Sequence, residues 1–155
     1  MKENHKVRIL YLDDELNNLE SFKANFRKHY EIFTTDSAIE AKQILIKNEI
    51  EIIITDQRMP KITGVEFLES VIEEFPDPIR MLLTGYADIE AVIDAINKGK
   101  IYHYTTKPFN ADELKITIDK AFEVYSLRKE NKELMKSLVQ VNSQLEFMLR
   151  QKLIS

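Results

Sequence analysis

Short apolar runs recur along the first 122 residues at Val7 to Leu12, Glu31 to Thr34, Ile50 to Thr55, Ile79 to Leu83 and Ile101 to Tyr104. Between them lie stretches with helical periodicity: Glu15 to Arg27, Ser37 to Ile46, Val65 to Glu73 and Asp88 to Asn97. Strand-length and helix-length segments in alternation predict repeated strand-helix units around a parallel sheet. The run Ile50-Glu51-Ile52-Ile53-Ile54 is nearly all β-branched and apolar, as a central strand covered on both faces should be. Gly99 supplies a stop signal after the fourth helix. Asn110, placed before Ala111-Asp112-Glu113, supplies a cap and a capping-box glutamate for a fifth. The expected fold is a doubly wound α/β domain with five parallel strands; for the order 2-1-3-4-5 the switch point lies between strands one and three.

The fifth helix runs past the point where a domain needs it. From Asn110 to Ser155 there is no proline or glycine, so one unbroken helix is expected over that whole span. Its second half carries a heptad: Val124, Leu127, Asn131, Leu134, Leu138, Val141, Leu145, Met148 and Lys152 alternate steps of three and four. Such a stripe needs a partner, and self-association through a coiled coil is the simplest one. The alternative is a helix that folds back on its own domain. Asn131 at an a position favours a parallel pair in register. The chain therefore divides into a domain over residues 1–122 and a helical coiled-coil extension over 123–155.

Composition narrows the class. A formal charge of -4 over 155 residues gives no footprint for nucleic acid, so no direct nucleic-acid contact is expected. The chain has no cysteine, which excludes disulfides, thiolate metal sites and thiol catalysis. No apolar stretch is long enough to cross a bilayer, so no membrane association is expected, and a soluble cytoplasmic location is the default expectation. His5, His29 and His103 show no ligand spacing.

The polar residues at the run ends carry the chemistry. Asp13 and Asp14 follow the first run, Asp56 the third, Thr84 closes the fourth, and Lys107 comes just after the fifth. In a doubly wound sheet these ends converge on the switch point where ligands bind. Clustered carboxylates repel unless a cation fills the site. Magnesium, which takes carboxylate, water and phosphate oxygens, fits that set. Asp56 is placed to act as a nucleophile toward phosphorus, giving an aspartyl phosphate. Lys107 would balance the phosphoryl charge and the Thr84 hydroxyl would hydrogen-bond a phosphoryl oxygen.

With its motifs Ile9-Leu10-Tyr11-Leu12-Asp13-Asp14-Glu15, Ile54-Thr55-Asp56-Gln57-Arg58-Met59-Pro60, Leu82-Leu83-Thr84-Gly85 and Tyr104-Thr105-Thr106-Lys107-Pro108-Phe109, residues 6 to about 122 resemble a response-regulator receiver domain of two-component signalling. The resemblance implies a flavodoxin-like sheet, with Asp56 as phosphoacceptor and Asp13 and Asp14 as the acidic pair on Mg2+. It also implies a metal ligand in the backbone carbonyl of Arg58, a switch pair in Thr84 and Tyr104, and a charge partner in Lys107. A cis Lys107-Pro108 peptide is expected with it. The phosphoryl donor would be a sensor histidine kinase or a phosphotransfer protein, and the product a switch rather than an enzyme, homodimeric through the tail. Arg58 is bulkier than many residues two places after the acceptor, which bears on the lifetime of the phosphorylated form. Beyond its backbone role it is expected to be a solvated loop charge. Gly85 stands where alanine is frequent and loosens its loop. The wording is similar to receivers that precede phosphodiesterase, phosphatase or transcription-activating domains, so a receiver fragment of a larger protein is one alternative. A haloacid-dehalogenase-like phosphohydrolase is another, but that family wants an acid where Arg58 stands. A dimer with an inert pocket would leave the acid, threonine and lysine set unexplained.

Overall fold

The computed structural model describes residues 5–154. Among the described residues five strands and five α-helices alternate: β1 Arg8–Leu12, α1 Leu16–Phe26, β2 Glu31–Thr35, α2 Ala38–Lys47, β3 Ile52–Asp56, α3 Gly64–Val71, β4 Ile79–Thr84, α4 Ile89–Asn97, β5 His103–Thr106 and α5 Ala111–Ile154. A single 3-10 turn, Tyr86–Asp88, precedes α4. All strand pairs are parallel and the order is β2-β1-β3-β4-β5. Ser155, the predicted helix end, lies outside the described residues.

Local signals account for the helix boundaries. Thr63 Oγ1 accepts a hydrogen bond from Glu66 N at 3.1 Å and donates to Glu66 Oε1 at 3.0 Å, so a threonine and a glutamate three residues apart start α3. Ser37 and Asn110 cap α2 and α5 by accepting from Glu40 N and Glu113 N. At the end of α4, Gly99 takes φ 73° while Gly99 N donates to Ile96 O and Lys100 N to Ala95 O. These two bonds form a Schellman motif, whose left-handed residue is least strained as glycine.

The last strand begins two residues later than its apolar run, at His103 rather than Ile101. Ile101 is buried among the side chains under α3 and α4, so its hydrophobicity reports packing rather than strand pairing. Pairing with β4 begins where Tyr102 N donates to Arg80 O, with Met81 opposite His103.

Two cores sandwich the sheet. Ile9, Tyr11, Ile52 and Ile54 pack under α1 and α5 against Phe22, Phe26, Leu114 and Ile118. Leu10, Leu12, Ile53 and Leu82 pack under α2, α3 and α4 against Leu45, Phe67 and Val92. Every residue of β3 is buried, which suits a strand with both faces covered.

Helix α5 spans 44 residues. Its buried positions, Leu114, Ile118, Ala121 and Tyr125, follow the helical repeat and hold its first third on the domain. Val124, first residue of the heptad stripe, is half-buried against the same core, and the exposed stripe starts at Leu127. Ion pairs from Lys129 to Glu49 (3.4 Å) and from Lys132 to Asp77 (3.3 Å) tie the emerging helix to the connections before β3 and β4. Every described residue beyond Tyr125 is exposed.

Candidate functional site

The carboxyl ends of β1 and β3 are hydrogen-bonded neighbours, which brings Asp13, Asp14 and Asp56 together. One carboxylate oxygen from each lies within 4.8 Å of those of the other two, and no other group of this kind occurs among the described residues. Three carboxylates so close repel unless a cation lies among them, and an all-oxygen donor set suits a hard divalent ion. Asp14 is solvent-exposed, whereas Asp13 is fully buried and Asp56 nearly so.

Asp13 is held in place from several sides. Its Oδ2 accepts from the Tyr11 hydroxyl at 2.7 Å, from Asn18 Nδ2 at 3.1 Å and from Lys107 Nζ at 3.3 Å, while Oδ1 accepts from Glu15 N at 3.0 Å. Burial, then the field and hydrogen bond of Asp13, push the Tyr11 phenol well above its ordinary range, so it remains a donor. Tyr11 and Asn18 are not among the site residues that the sequence singles out. The available signal for Tyr11 is its position two residues before Asp13, which in an extended chain leaving β1 turns both side chains to the same side.

Asp56 ends β3. Its Oδ1 accepts from Gln57 N at 3.0 Å and lies 2.9 Å from Lys107 Nζ. Burial raises the carboxyl above the usual carboxylate range, and the Lys107 ammonium offsets only part of that rise. For Lys107, burial alone would lower the value, but the Asp56 hydrogen bond and the charges of Asp13 and Asp56 outweigh it and raise the ammonium above its usual value. The lysine thus bridges the two buried aspartates as a cation. Its backbone is fixed by Lys107 N donating to Thr84 O at 2.9 Å. The Lys107-Pro108 peptide is cis, and Phe109 behind it stacks toward Phe26 at 6.2 Å between ring centroids.

The connection after Asp56 is pinned by Gln57. Its backbone carbonyl accepts from Gly64 N and its side-chain Oε1 from Val65 N, both at 3.0 Å, which folds the start of α3 over the end of β3. A Cβ on Gly64 would overlap the backbone oxygen of Asp56 and lie 2.6 Å from Leu82 Cδ2. This position therefore requires glycine for close approach. No sequence signal marks Gln57 or Gly64, because each acts through a contact made only after folding.

The sequence reads the Arg58 side chain as a solvated charge. It is largely exposed, and its Nε also donates to Asp88 Oδ2 at 3.0 Å, joining the loop after Asp56 to the turn that opens α4. Thr84 is fully buried and its hydroxyl donates to Gly85 O at 3.2 Å. Tyr104, opposite Leu82 on β5, is half-buried against the core beneath α3 and α4. Thr84 and Lys107 therefore adjoin the acidic cluster along one sheet edge, and Tyr104 sits one strand outward.

A doubly wound sheet with three carboxylates and a lysine at its carboxyl edge defines a class of α/β domain, and comparison with known proteins specifies which. The family model of the response regulator receiver domain matches residues 9–119, so the chain belongs to that family. The hydrogenase transcriptional regulatory protein HoxA of Bradyrhizobium diazoefficiens is 38% identical over 122 residues, covering 79% of this chain and 25% of that protein. Regulatory protein AtoC of Escherichia coli is 29% identical over 133 residues, covering 84% of this chain and 28% of its own length. The chain spans about a quarter of the length of these curated relatives. Among solved structures, a response regulator receiver domain protein from Clostridium thermocellum has a TM-score of 0.73 at 31% identity, with 78% of this chain and 98% of that one covered. No described helix is long and apolar enough to cross a membrane.

Proposed function

We propose that this receiver takes a phosphoryl group from a histidine kinase or phosphotransfer protein onto Asp56 and passes the signal to its long C-terminal helix. The observation that carries the reading is the Asp13, Asp14 and Asp56 cluster with the Lys107 ammonium 2.9 Å from Asp56 Oδ1. One carboxylate oxygen of Asp56 forms the bond to phosphorus as the donor's nitrogen-phosphorus bond breaks, and Lys107 follows the negative charge. Asp13, Asp14, Asp56 and the backbone carbonyl of Arg58 would hold Mg2+, which when bound supplies charge neutralisation for the incoming phosphoryl group. Tyr11, Asn18 and Glu15 N keep Asp13 oriented for this role.

Thr84 and Tyr104 act as readers. The Thr84 hydroxyl, now donating to Gly85 O, exchanges that acceptor for a phosphoryl oxygen, and Tyr104 settles further into the core. The helix after residue 122, with Val124, Leu127, Asn131, Leu134, Leu138, Val141, Leu145 and Met148 on one stripe, pairs two copies in parallel. The protein works in the cytoplasm as a switch and not as a hydrolase, since Arg58 occupies the place of a general acid and is engaged by Asp88. Its partners are the phosphoryl donor and its own second copy, without direct contact to nucleic acid or membrane. Intact mass after treatment with acetyl phosphate and Mg2+ tests the reading. A single phosphoryl adduct on the parent and none on Asp56→Asn is expected, and an undiminished adduct on the variant overturns the assignment.

A further inference from the structure

Helix α5 leaves the domain with more apolar surface than a two-stranded coil covers. From Ser137 to Leu149 the one ionisable side chain is Glu146. Leu138, Val141, Leu145 and Met148 on the a and d positions, and Met135 and Leu149 on e, are each between 48% and 64% exposed. At about 100° per residue, the a, d and e positions of residues 134–149 span an arc of about 140°. Within that arc Asn142 is the one polar side chain. A strict a and d seam is narrower, whereas an a, d and e face is that of a helix in a bundle. One core layer agrees: Leu138 at a followed by Val141 at d places a β-branched side chain where two-stranded coils favour leucine, a pattern that shifts preference to more than two strands.

The arrangement also indicates direction. The apolar stretch from Leu134 to Met148 is bracketed at the neighbouring a positions by Asn131 and Lys152. Overlapped antiparallel near Val141, two such helices set Leu138 beside Leu145 and Leu134 beside Met148, with the bracketing polar residues at the ends. Because the stretch carries so little charge, identical copies do not repel. We propose that two parallel-paired dimers join through residues 134–149 as a four-helix bundle, a dihedral tetramer with receivers in pairs at opposite ends. This rests on the parallel pairing proposed above.

Sedimentation velocity and native mass spectrometry of the full chain at a protomer concentration of tens of micromolar test it, in three forms: the parent, Met135→Lys with Leu149→Lys, and Leu138→Lys. Lysine is a good helix former at exposed positions, so far-ultraviolet circular dichroism should stay at the parent level. The expected masses are four chains for the parent, two for the e-position double variant and one for Leu138→Lys. A parent of two chains overturns the bundle and leaves the parallel pair standing, whereas a one-chain parent overturns both. A double variant that retains four chains also overturns the bundle as drawn, because its e positions would then carry no contact.

Discussion

Asp13 is fully buried yet accepts four hydrogen bonds, and this one residue explains why the acidic pocket holds its shape. The candidate ligands were legible in the sequence because strand ends gather at one edge of a parallel sheet. Gln57 and Gly64 were not, since each acts where α3 packs over the end of β3; Tyr11 had only its two-residue spacing from Asp13 as a signal, and Asn18, five residues on, had none. Gly64 gives a sharp test. In Gly64→Ala the added methyl meets the backbone oxygen of Asp56. A loss of about 1 to 3 kcal/mol is expected from that overlap, together with a weaker beryllofluoride response. Thermal unfolding with and without beryllofluoride reads both, and an unchanged melting temperature would contradict the close approach. Arg58→Ala should behave differently. The Arg58 side chain is largely exposed in its pair with Asp88. Such a pair contributes less than about 1 kcal/mol. Stability should hold within that margin while amide exchange at Asp88 accelerates, and unchanged exchange would mean that the pair braces nothing.

At the scale of elements, periodicity located the strands and α-helices, and the discrepancies arise because hydrophobicity reports burial without saying what a residue packs against or pairs with. Ile101 is buried just before β5, and Val124 is half-buried on the domain although it opens the heptad. Where α5 meets the domain, Tyr30 donates to Asp119 Oδ1 at 2.6 Å and Lys115 Nζ lies 2.8 Å from Asp119 Oδ2. Burial alone would raise the Asp119 carboxyl, but Lys115 and Tyr30 more than offset it and the value falls below the usual range. A carboxyl depressed on folding adds stability above its unfolded value of about 3.9, and that contribution is lost as pH falls through the lower folded value. Asp119→Asn should therefore lower the melting temperature at pH 7 more than at pH 3. Equal losses at the two pH values would show that the effect comes from packing rather than from the charge.

As a whole molecule, the protein is a sheet that gathers its reactive groups at one edge and a helix that projects from the domain. The exposed stripe from Leu127 onward predicts that a truncation ending at Ser126 is monomeric in light scattering while the full chain is not; a dimeric truncation would move the interface onto the receiver. The central claim concerns Asp56, and peptide mapping of the phosphorylated protein tests it most directly. After acetyl phosphate and Mg2+, the adduct should be found on Asp56 within the β3 peptide and should disappear when the metal is chelated. A phosphoryl group on Asp13, on Asp14 or on a histidine, or an adduct on Asp56 that forms equally well in chelator, would contradict the account.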